Sequence, residues 1–353
     1  MISPAHEAPL CSIATGTLSR AERDAWLAFV LGQPNATPFH LPQWSEAVSA
    51  AHGHLPVYLM CSGVAGLTGV MPLIEIKSRL FGHAVISNAF AVAGGPLATD
   101  AVTANALIDG AVRFAEKRGA HYLEIRDCRT DVGGFESRSD FYATFERPME
   151  KSEDKNLLQI PRKQRAVVRK AIAADLSVTI DHDVECFFKL FARTARDHGT
   201  PVFAKRHFHA LARAFSDNCD ILTVRANGVP LSSVFSFYFR NRVMPYYTGN
   251  LPQSRSLGTN DFMYWRLMRH AVSRGCEVFD FGRSKVGTGP FAFKENWGFE
   301  PRPITHHYKL LRRKSLPNVS PANPKYARLV QLWRKLPIPV ANAASGLVSG
   351  SLG

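Results

Sequence analysis

Two octapeptides decide the fold, "RGAHYLEI" (Arg118–Ile125) and "RGCEVFDF" (Arg274–Phe281), because they align without a gap in the two halves of the chain. Each begins where a helical period of apolar residues ends, and each continues as a strand. The glycine of each Arg-Gly pair is placed for the left-handed conformation that commonly ends a helix. A predicted hairpin and helix precede both corners, which indicates an internal repeat of one α/β unit.

The repeat predicts an α/β (α+β) fold made of two tandem domains, at residues 1–150 and 151–312. A basic tail that contains proline, serine and glycine follows at 313–353. The segment "ERPMEKSEDKN" (146–156) is charged and contains a proline, so it is interpreted as the linker. Residues 325–336 are expected to form one further amphipathic helix, and the remainder of the tail is expected to be loosely held.

Composition narrows the class of protein. With 353 residues, 46% hydrophobic and 20% charged, the chain is long enough for two globular cores. No apolar run reaches membrane-spanning length, and the N-terminal residues are not predicted to be a signal peptide. The six cysteines form no CxxC pair, so reduced thiols, no metal site and a cytoplasmic location are predicted. They are Cys11, Cys61, Cys128, Cys186, Cys219 and Cys276.

Positive charge is concentrated in two segments of a chain whose net charge is +14. Residues 301–353 carry nine basic and no acidic side chains, and "PRKQRAVVRK" (161–170) has five basic residues. Within the second segment, Arg162, Arg165 and Arg169 share one face of a predicted helix. The clusters favour an anionic partner, although a merely solvated basic surface is the alternative. No motif for sequence-specific DNA binding accompanies them.

The usual catalytic and nucleotide-binding motifs are absent: there is no GxGxxG, Walker loop, HExxH or GxSxG. What remains is a loop, a helix and a strand over 254–285. Arg255 precedes Gly258 by three residues in the loop, and Asn260 is expected to cap the helix. Such a loop can hold an anion on the backbone N–H groups of the helix N-terminus, but Asp261 in the first turn would repel a phosphate.

A second candidate site is the stretch "GTGPFAFKENWGF" (287–299), which surrounds Lys294 with four aromatic rings. It is interpreted as a loop that adjusts through Gly287 and Gly289 and forms the wall of a substrate channel. In the alternative, the rings are core and Lys294 extends to solvent.

Three segments carry a family resemblance: "IPRKQRAVVRKA" (160–171), "LGTNDFMYWRLMRHAVSRG" (257–275) and "FDFGRSKVGTGPFAFKENWGFEP" (279–301). The R-x-x-G loop and helix resemble the core of the GNAT (acyl-CoA N-acyltransferase) fold. Its tandem repetition is similar to the FemAB family, and the longer motifs resemble the FemAB-like proteins of exosortase/PEP-CTERM systems. This resemblance implies two tandem GNAT-like domains.

The resemblance also implies a function. FemAB proteins transfer an amino acid from aminoacyl-tRNA to an amine, and Phe293 and Lys294 match the aromatic–lysine pair at their transfer site. A fixed ammonium there would stabilise the oxyanion of the transition state, and Asp280 would orient or deprotonate the amine. Phe291, Phe293 and Trp297 would exclude water or stack on the terminal adenine. Residues expected to bind donor or acceptor are Phe293, Tyr247, Arg255, Gly258, Asn260, Arg283, Lys285, Arg162, Arg165 and Arg169.

The donor and acceptor remain open at this stage. No tightly bound cofactor is expected; the donor is aminoacyl-tRNA or, as the alternative, acyl-CoA. The exosortase context implies an acceptor in exopolysaccharide or cell-envelope assembly, with peripheral contact of the protein with the cytoplasmic face of the inner membrane. A third alternative is an inert scaffold that binds anionic carriers.

Overall fold

The chain folds into two compact units in a computed structural model that describes residues 10–78, 82–128, 130, 132–316 and 327–351. One unit comprises Met1–Ser139, Ile304–Pro317 and Ser351–Gly353, and the other comprises Asp140–Pro303 and Asn318–Gly350. Each unit has its own mixed β-sheet and its own buried apolar core.

The first unit contains an eight-stranded sheet with the order β1-β2-β3-β4-β6-β15-β7, in which β5 pairs with β3. Its strands are β1 (Leu10–Thr15), β2 (Leu55–Gly63), β3 (Gly66–Ser78), β4 (Gly82–Ser87), β5 (Leu97–Ala98), β6 (Tyr122–Arg126), β7 (Glu136–Arg138) and β15 (His306–Leu310). Its helices are α1 (Arg20–Gly32), α2 (Pro42–His52) and α3 (Ala101–Arg118). The apolar face of α3 packs on the sheet, where Leu107 and Leu123 are fully buried.

The second unit contains a seven-stranded sheet with the order β14-β8-β13-β12-β11-β10-β9. Its strands are β8 (Tyr142–Pro148), β9 (Leu176–Asp181), β10 (Cys219–Ala226), β11 (Val229–Phe239), β12 (Arg242–Asn250), β13 (Val278–Lys285) and β14 (Pro301–Pro303). Its helices are α4 (Glu153–Gln159), α5 (Arg162–Ile172), α6 (Val184–His198), α7 (Lys205–Phe215), α8 (Ser254–Leu257), α9 (Thr259–Ser273), α10 (Gly289–Asn296), α11 (Ala327–Lys335) and α12 (Ile338–Val348).

The predicted repeat is confirmed. The order β2-β3-β4-α3-β6 of the first unit recurs as β10-β11-β12-α9-β13 in the second. In each unit, a helix connects two parallel strands, β4 with β6 and β12 with β13. Gly119 and Gly275 both adopt the left-handed conformation at the helix end, with φ of 73° and 82°. Strand β4, only six residues long, was not predicted from the sequence.

Each of the two predicted domain boundaries, at residues 150 and 312, assigns one strand to the wrong unit. Strand β8 precedes residue 150 but pairs with β13 and β14 of the second unit. Strand β15 precedes residue 312 but pairs with β6 and β7 of the first. A strand pairs with partners that are distant in sequence, so composition around the linker could not indicate this exchange.

Two helices form in the C-terminal tail. Helix α11 confirms the amphipathic helix that was predicted near 325–336, whereas α12 corrects the expectation of a loosely held end. Ala341 and Ser345 of α12 are buried, and the Ser345 hydroxyl accepts a hydrogen bond from the Val202 N–H at 3.0 Å. Tail residues 317–326 lie outside the described residues. No helix among those described has both the length and the apolar character needed to cross a bilayer.

The prediction that all cysteines are reduced is wrong for one pair. Cys11 and Cys61 face each other across β1 and β2 and form a disulfide, with their Cα atoms 4.0 Å apart. The two residues are 50 positions apart in sequence, and only strand register brings them together. Cys128, Cys186, Cys219 and Cys276 are free thiols.

Candidate active site

Strands β12 and β13 separate soon after they begin, which opens the sheet of the second unit. Parallel pairing joins only Arg242 to Val278 and Val243 to Phe279. The equivalent strands of the first unit, β4 and β6, stay paired over four positions, from Ala84 with Tyr122 to Ser87 with Ile125. Separated parallel strands leave backbone groups free for a ligand. The second unit therefore has the more open strand pair.

A β-bulge lies on β13 where the strands separate. The register with β8 shifts between Asp280 and Gly282, so Phe281 is the additional residue. Gly282 has a φ of +64°, which a residue with a side chain rarely adopts. Bulges of this kind redirect the backbone and are common beside active sites.

Lys294 holds this bulge from α10. Its side chain is only 8% exposed, and Nζ donates to the carbonyl oxygens of Phe281 (2.6 Å), Gly282 (3.0 Å) and Arg283 (3.2 Å). The ammonium also lies 5.2 Å from the centre of the Phe145 ring. All three protons of a charged Lys294 are therefore directed at backbone carbonyls, which rules out the alternative of a lysine that extends to solvent.

The local conformation around Lys294 differs from the predicted loop. Residues 289–296 form α10, with Thr288 at the N-cap and Pro290 in the first turn. Proline fits the first turn of a helix because its missing N–H would be unpaired there in any case. Pro290 could have indicated a helix start in the sequence, but the neighbouring glycines favoured a loop. Gly289 belongs to the helix and not to an adjustable loop.

Asp280 completes the bulge from the strand itself. Its Oδ1 accepts a hydrogen bond from the Gly282 N–H at 2.8 Å, and the side chain is half-buried. Burial raises the pKa of Asp280 to about 6, although the Gly282 N–H opposes this rise. Burial likewise lowers the pKa of Lys294 to about 7, against the attraction of the Asp280 charge. Two groups that titrate near neutrality thus lie at one bulge, a pattern typical of functional sites.

The N-terminus of α9 is covered by another helix. Gly258 precedes α9 in the left-handed conformation, and a Cβ added there would lie 2.9 Å from Val167 Cγ1 of α5. Asp261 in the first turn is buried and accepts hydrogen bonds from Gln164 Nε2 (2.5 Å) and Trp297 Nε1 (2.8 Å). Burial raises the pKa of Asp261, and the two hydrogen bonds lower it.

The predicted capping role of Asn260 is wrong, because Gly258 occupies the N-cap and Asn260 lies inside the first turn of α9. Arg255 is exposed on α8. Arg283 and Lys285 are half-buried on β13, and the Arg283 guanidinium lies 4.3 Å from the centre of the Tyr142 ring. Of these predicted binding residues, Arg283 and Lys285 share β13 with the bulge.

The aromatic residues of the prediction separate into two groups. Phe291 and Phe293 are half-buried on α10, with the Phe293 ring 5.6 Å from that of Tyr264. Trp297 is fully buried, so its predicted stacking on an adenine is wrong. Tyr247 is also buried, where its hydroxyl lies 3.0 Å from His207 Nε2 among packed phenylalanine rings.

Helix α5 presents its basic face as the sequence predicted. Arg162 and Arg169 are exposed and Arg165 is half-buried, whereas Val168 and Ala171 of the opposite face are buried. Lys163 and Lys170 extend the same basic surface. The described part of the chain provides none of these five cations with a carboxylate within salt-bridge distance.

Sequence reasoning missed two contributors, Gln164 and Glu146. Gln164 ties α5 to Asp261, and the negative charge of Glu146 contributes to the raised pKa of Asp280. No sequence pattern marks either residue, because each contributes only through a residue that is distant in sequence and brought close by folding. In the described part of the chain, no three histidine, cysteine or acidic residues are grouped closely enough to hold a metal ion.

Known proteins agree with this architecture. Residues 159–295 match the family profile described as "Acetyltransferase (GNAT) domain". No functionally curated protein shows a significant match to the chain. The crystal structure of FemX is 16% identical, covering 90% of this chain and all of FemX, with a TM-score of 0.66.

Two further solved structures have the same fold. The C-terminal domain of a putative lysylphosphatidylglycerol synthetase from Agrobacterium fabrum is 11% identical, with a TM-score of 0.53, covering 82% of this chain and 93% of that one. A tandem GNAT protein from the clavulanic acid pathway is 12% identical, also at 0.53, covering 85% and 98%. At these identities the likeness defines the fold, which is a tandem of GNAT-like units.

The match to a GNAT acetyltransferase domain identifies an acyltransferase, and the solved structures add the fold. Acyl-CoA is the donor that this domain match implies. The donor and the acceptor of this chain have to be inferred from the residues of its own site.

Proposed function

We propose that this protein transfers an aminoacyl group to an amine of a cell-envelope or exopolysaccharide-related acceptor, with the reaction at the bulge of β13. The observation that carries the proposal is the convergence of Asp280 and Lys294 on Gly282 where β12 and β13 separate. An acyltransferase needs a base for the amine and positive charge near the developing oxyanion. Asp280 and Lys294 supply these two properties.

Asp280 acts as the base in this proposal. The acceptor ammonium first loses one proton to solvent, which leaves a neutral amine as the nucleophile. As its nitrogen forms the new amide bond, the amine loses a second proton to Asp280, whose carboxylate, with a pKa of about 6, is ionised at neutral pH. Asp280 then gives this second proton to the oxygen that leaves the acyl carbon, so one protein base is enough for the transfer.

Lys294 contributes charge and position. Its protons hold three carbonyls, so it fixes the bulged backbone and places a positive charge beside the reaction. A buried charge stabilises a developing negative charge more strongly than an exposed one, because less solvent screens it. Phe293 lies next to Lys294 in α10, where its half-buried ring would limit the access of water.

Acyl-CoA does not fit the N-terminus of α9. A CoA pyrophosphate would require free backbone N–H groups there and no competing negative charge. Helix α5 instead packs against Gly258, and the Asp261 carboxylate occupies the first turn. This disagreement favours aminoacyl-tRNA as the donor.

The basic face of α5 suits such a donor. Arg162, Arg165 and Arg169, together with Lys163 and Lys170, form a surface without acidic partners in the described structure. Nucleic-acid backbones bind such surfaces through their phosphates without sequence preference. Arg283 and Lys285 on β13 would hold the anionic end of the donor or the acceptor near the bulge.

The test compares donors directly. The purified chain is incubated with bulk tRNA charged with radiolabelled amino acids, or with radiolabelled acetyl-CoA, and a panel of lysine peptides and amino-sugar nucleotides. We expect label from tRNA in alkali-stable amides, and none with Asp280→Asn.

Transfer only from acetyl-CoA would overturn the donor assignment and favour a GNAT-type reaction. Binding of tRNA without transfer to any amine of the panel would favour the scaffold. A second assay measures the midpoint of thermal unfolding with CoA alone, which should leave it unchanged, since a ligand that does not bind cannot stabilise the fold.

A further inference from the structure

Helix α11 attaches to the second unit by one side only. A Cβ at Gly199, the residue that ends α6, would lie 2.5 Å from Val330 Cγ1. The Arg196 guanidinium donates to the Arg334 carbonyl at 2.8 Å, and Arg334 in turn donates to the His198 carbonyl at 3.4 Å. Val330 and Arg334 are four residues apart and therefore lie on one face. These contacts fix the rotation of the helix.

The side of α11 turned away from these contacts is apolar. Leu329 and Leu332 are 60% and 62% exposed, and they are neighbours on the helix surface at a spacing of three. Trp333 lies beside them and is half-buried. We define Leu329, Leu332 and Trp333 as the tail stripe.

Positive charge borders the tail stripe. Arg328 and Lys335 are exposed and lie four residues before and three residues after Leu332, on the same side of α11. Residues 301–353 contain no aspartate or glutamate that could neutralise them. An apolar surface with a purely cationic border complements an anionic lipid headgroup layer, in which the apolar groups enter the acyl boundary and the cations meet the headgroups. A tryptophan beside the stripe suits the same interface.

We propose that the tail stripe is a docking surface for a bilayer that contains anionic phospholipid. Helix α11 lies in the plane of the interface and does not cross it, consistent with the lack of a spanning helix among the described residues. The charge border favours lipid over a second copy of this chain, because two copies would bring their cations together. The proposal does not depend on the proposed acyl transfer, since vesicle binding by this surface is measured without an acyl donor or acceptor.

The test is co-sedimentation of the full chain with vesicles. Vesicles of phosphatidylglycerol and phosphatidylcholine in equal parts are compared with phosphatidylcholine alone, at low and high salt. We expect the wild type to sediment with the anionic vesicles, and high salt to weaken this binding because it screens the cationic border.

Leu329→Ser combined with Leu332→Ser should reduce binding to the anionic vesicles on the order of tenfold or more, because two leucines no longer enter the apolar layer. Arg328→Glu combined with Lys335→Glu should abolish the preference for phosphatidylglycerol. Leu158→Ser is the matched control, since Leu158 on α4 is also 62% exposed but has no place in the stripe. It should bind as the wild type does.

All three variants replace only exposed side chains, so their midpoints of thermal unfolding should stay within error of the wild type, which excludes misfolding as the cause of lost binding. The proposal is overturned if the wild type fails to sediment with anionic vesicles, or if the double leucine variant binds as well as the control. It is equally overturned if light scattering finds a wild-type dimer that the leucine variant converts to monomer, because a second copy then covers the stripe.

Discussion

Asp280 and Lys294 both hold the backbone of Gly282: the carboxylate accepts from the Gly282 N–H at 2.8 Å, and the ammonium donates to the Gly282 carbonyl at 3.0 Å. The bulge of β13 thus depends on two ionisable side chains at the point where the sheet opens. Each group is also partly desolvated, so the charge state of the pair is sensitive to pH. The two groups proposed to act in the reaction therefore also hold the backbone at Gly282.

Lys294→Met should reduce both turnover and stability. We expect the turnover number to fall on the order of a hundredfold, with donor affinity nearly unchanged, because the lost charge acts mainly in the transition state. The free energy of unfolding should fall by about 2 kcal/mol, since three buried carbonyls lose their donor. Steady-state kinetics and urea unfolding measure the two effects.

Lys294→Arg keeps the charge but cannot reproduce the three-carbonyl geometry, so it should rescue turnover only in part. Wild-type turnover in Lys294→Met would remove Lys294 from the reaction.

The rate of acyl transfer should depend on pH through both groups. Asp280 must be ionised to accept a proton, so the rate should rise as pH increases through about 6. Lys294 must be protonated to supply charge, so the rate should fall as pH increases through about 7. The result is a narrow bell whose two limbs belong to the coupled pair.

Variants assign the limbs of this profile, measured as turnover number with one fixed acceptor. Lys294→Arg should move the alkaline limb to higher pH, because the guanidinium stays charged. Asp280→Asn should remove the acidic limb and lower the maximum. An alkaline limb that stays near 7 in Lys294→Arg would mean that another group, or the acceptor itself, titrates there.

Charge reversal on α5 should weaken tRNA binding in a salt-dependent way. Replacing Arg162, Arg165 and Arg169 with glutamate removes phosphate contacts, so affinity should fall strongly at low salt and less at high salt. The slope of log affinity against log salt should decrease by about two.

Filter binding over a salt series measures that slope. Reversal at Arg206 and Arg213, two exposed arginines of α7, is the control for general charge and should change the slope little. Equal affinities for the α5 variant and the wild type at every salt concentration would show that the basic face is only solvated.

Gly249 of β12 should not tolerate a side chain. A Cβ there would lie 2.4 Å from the Phe191 backbone nitrogen and 2.6 Å from the Leu190 carbonyl carbon, so α6 would have to move away from β12. Gly249→Ala should lower the free energy of unfolding by about 2 to 3 kcal/mol. Gly289→Ala is the control, because a Cβ at that position meets no atom within 4 Å. A similar unfolding free energy for both variants would contradict the close approach of α6.

The sequence by itself determined the repeated α/β unit. Helical period, strand alternation and the Arg-Gly corners at 118–119 and 274–275 are local features, because they depend on backbone geometry and on neighbours a few residues away. The same local reading placed the basic residues of α5 on one face and singled out Lys294 among its aromatic neighbours. Asp280 and the catalytic role of Lys294 came from the family resemblance.

Only the tertiary structure decided what those residues contact. Lys294 holds carbonyls of a strand about ten residues earlier in the chain, α5 packs on Gly258 from about ninety residues away, and Cys11 meets Cys61 through strand register. Burial also decides the pKa values, since a sequence does not specify how much water each ionisable group keeps. Such relationships arise from long-range packing, in which the partner of a side chain is set by the whole unit and not by its neighbours in sequence.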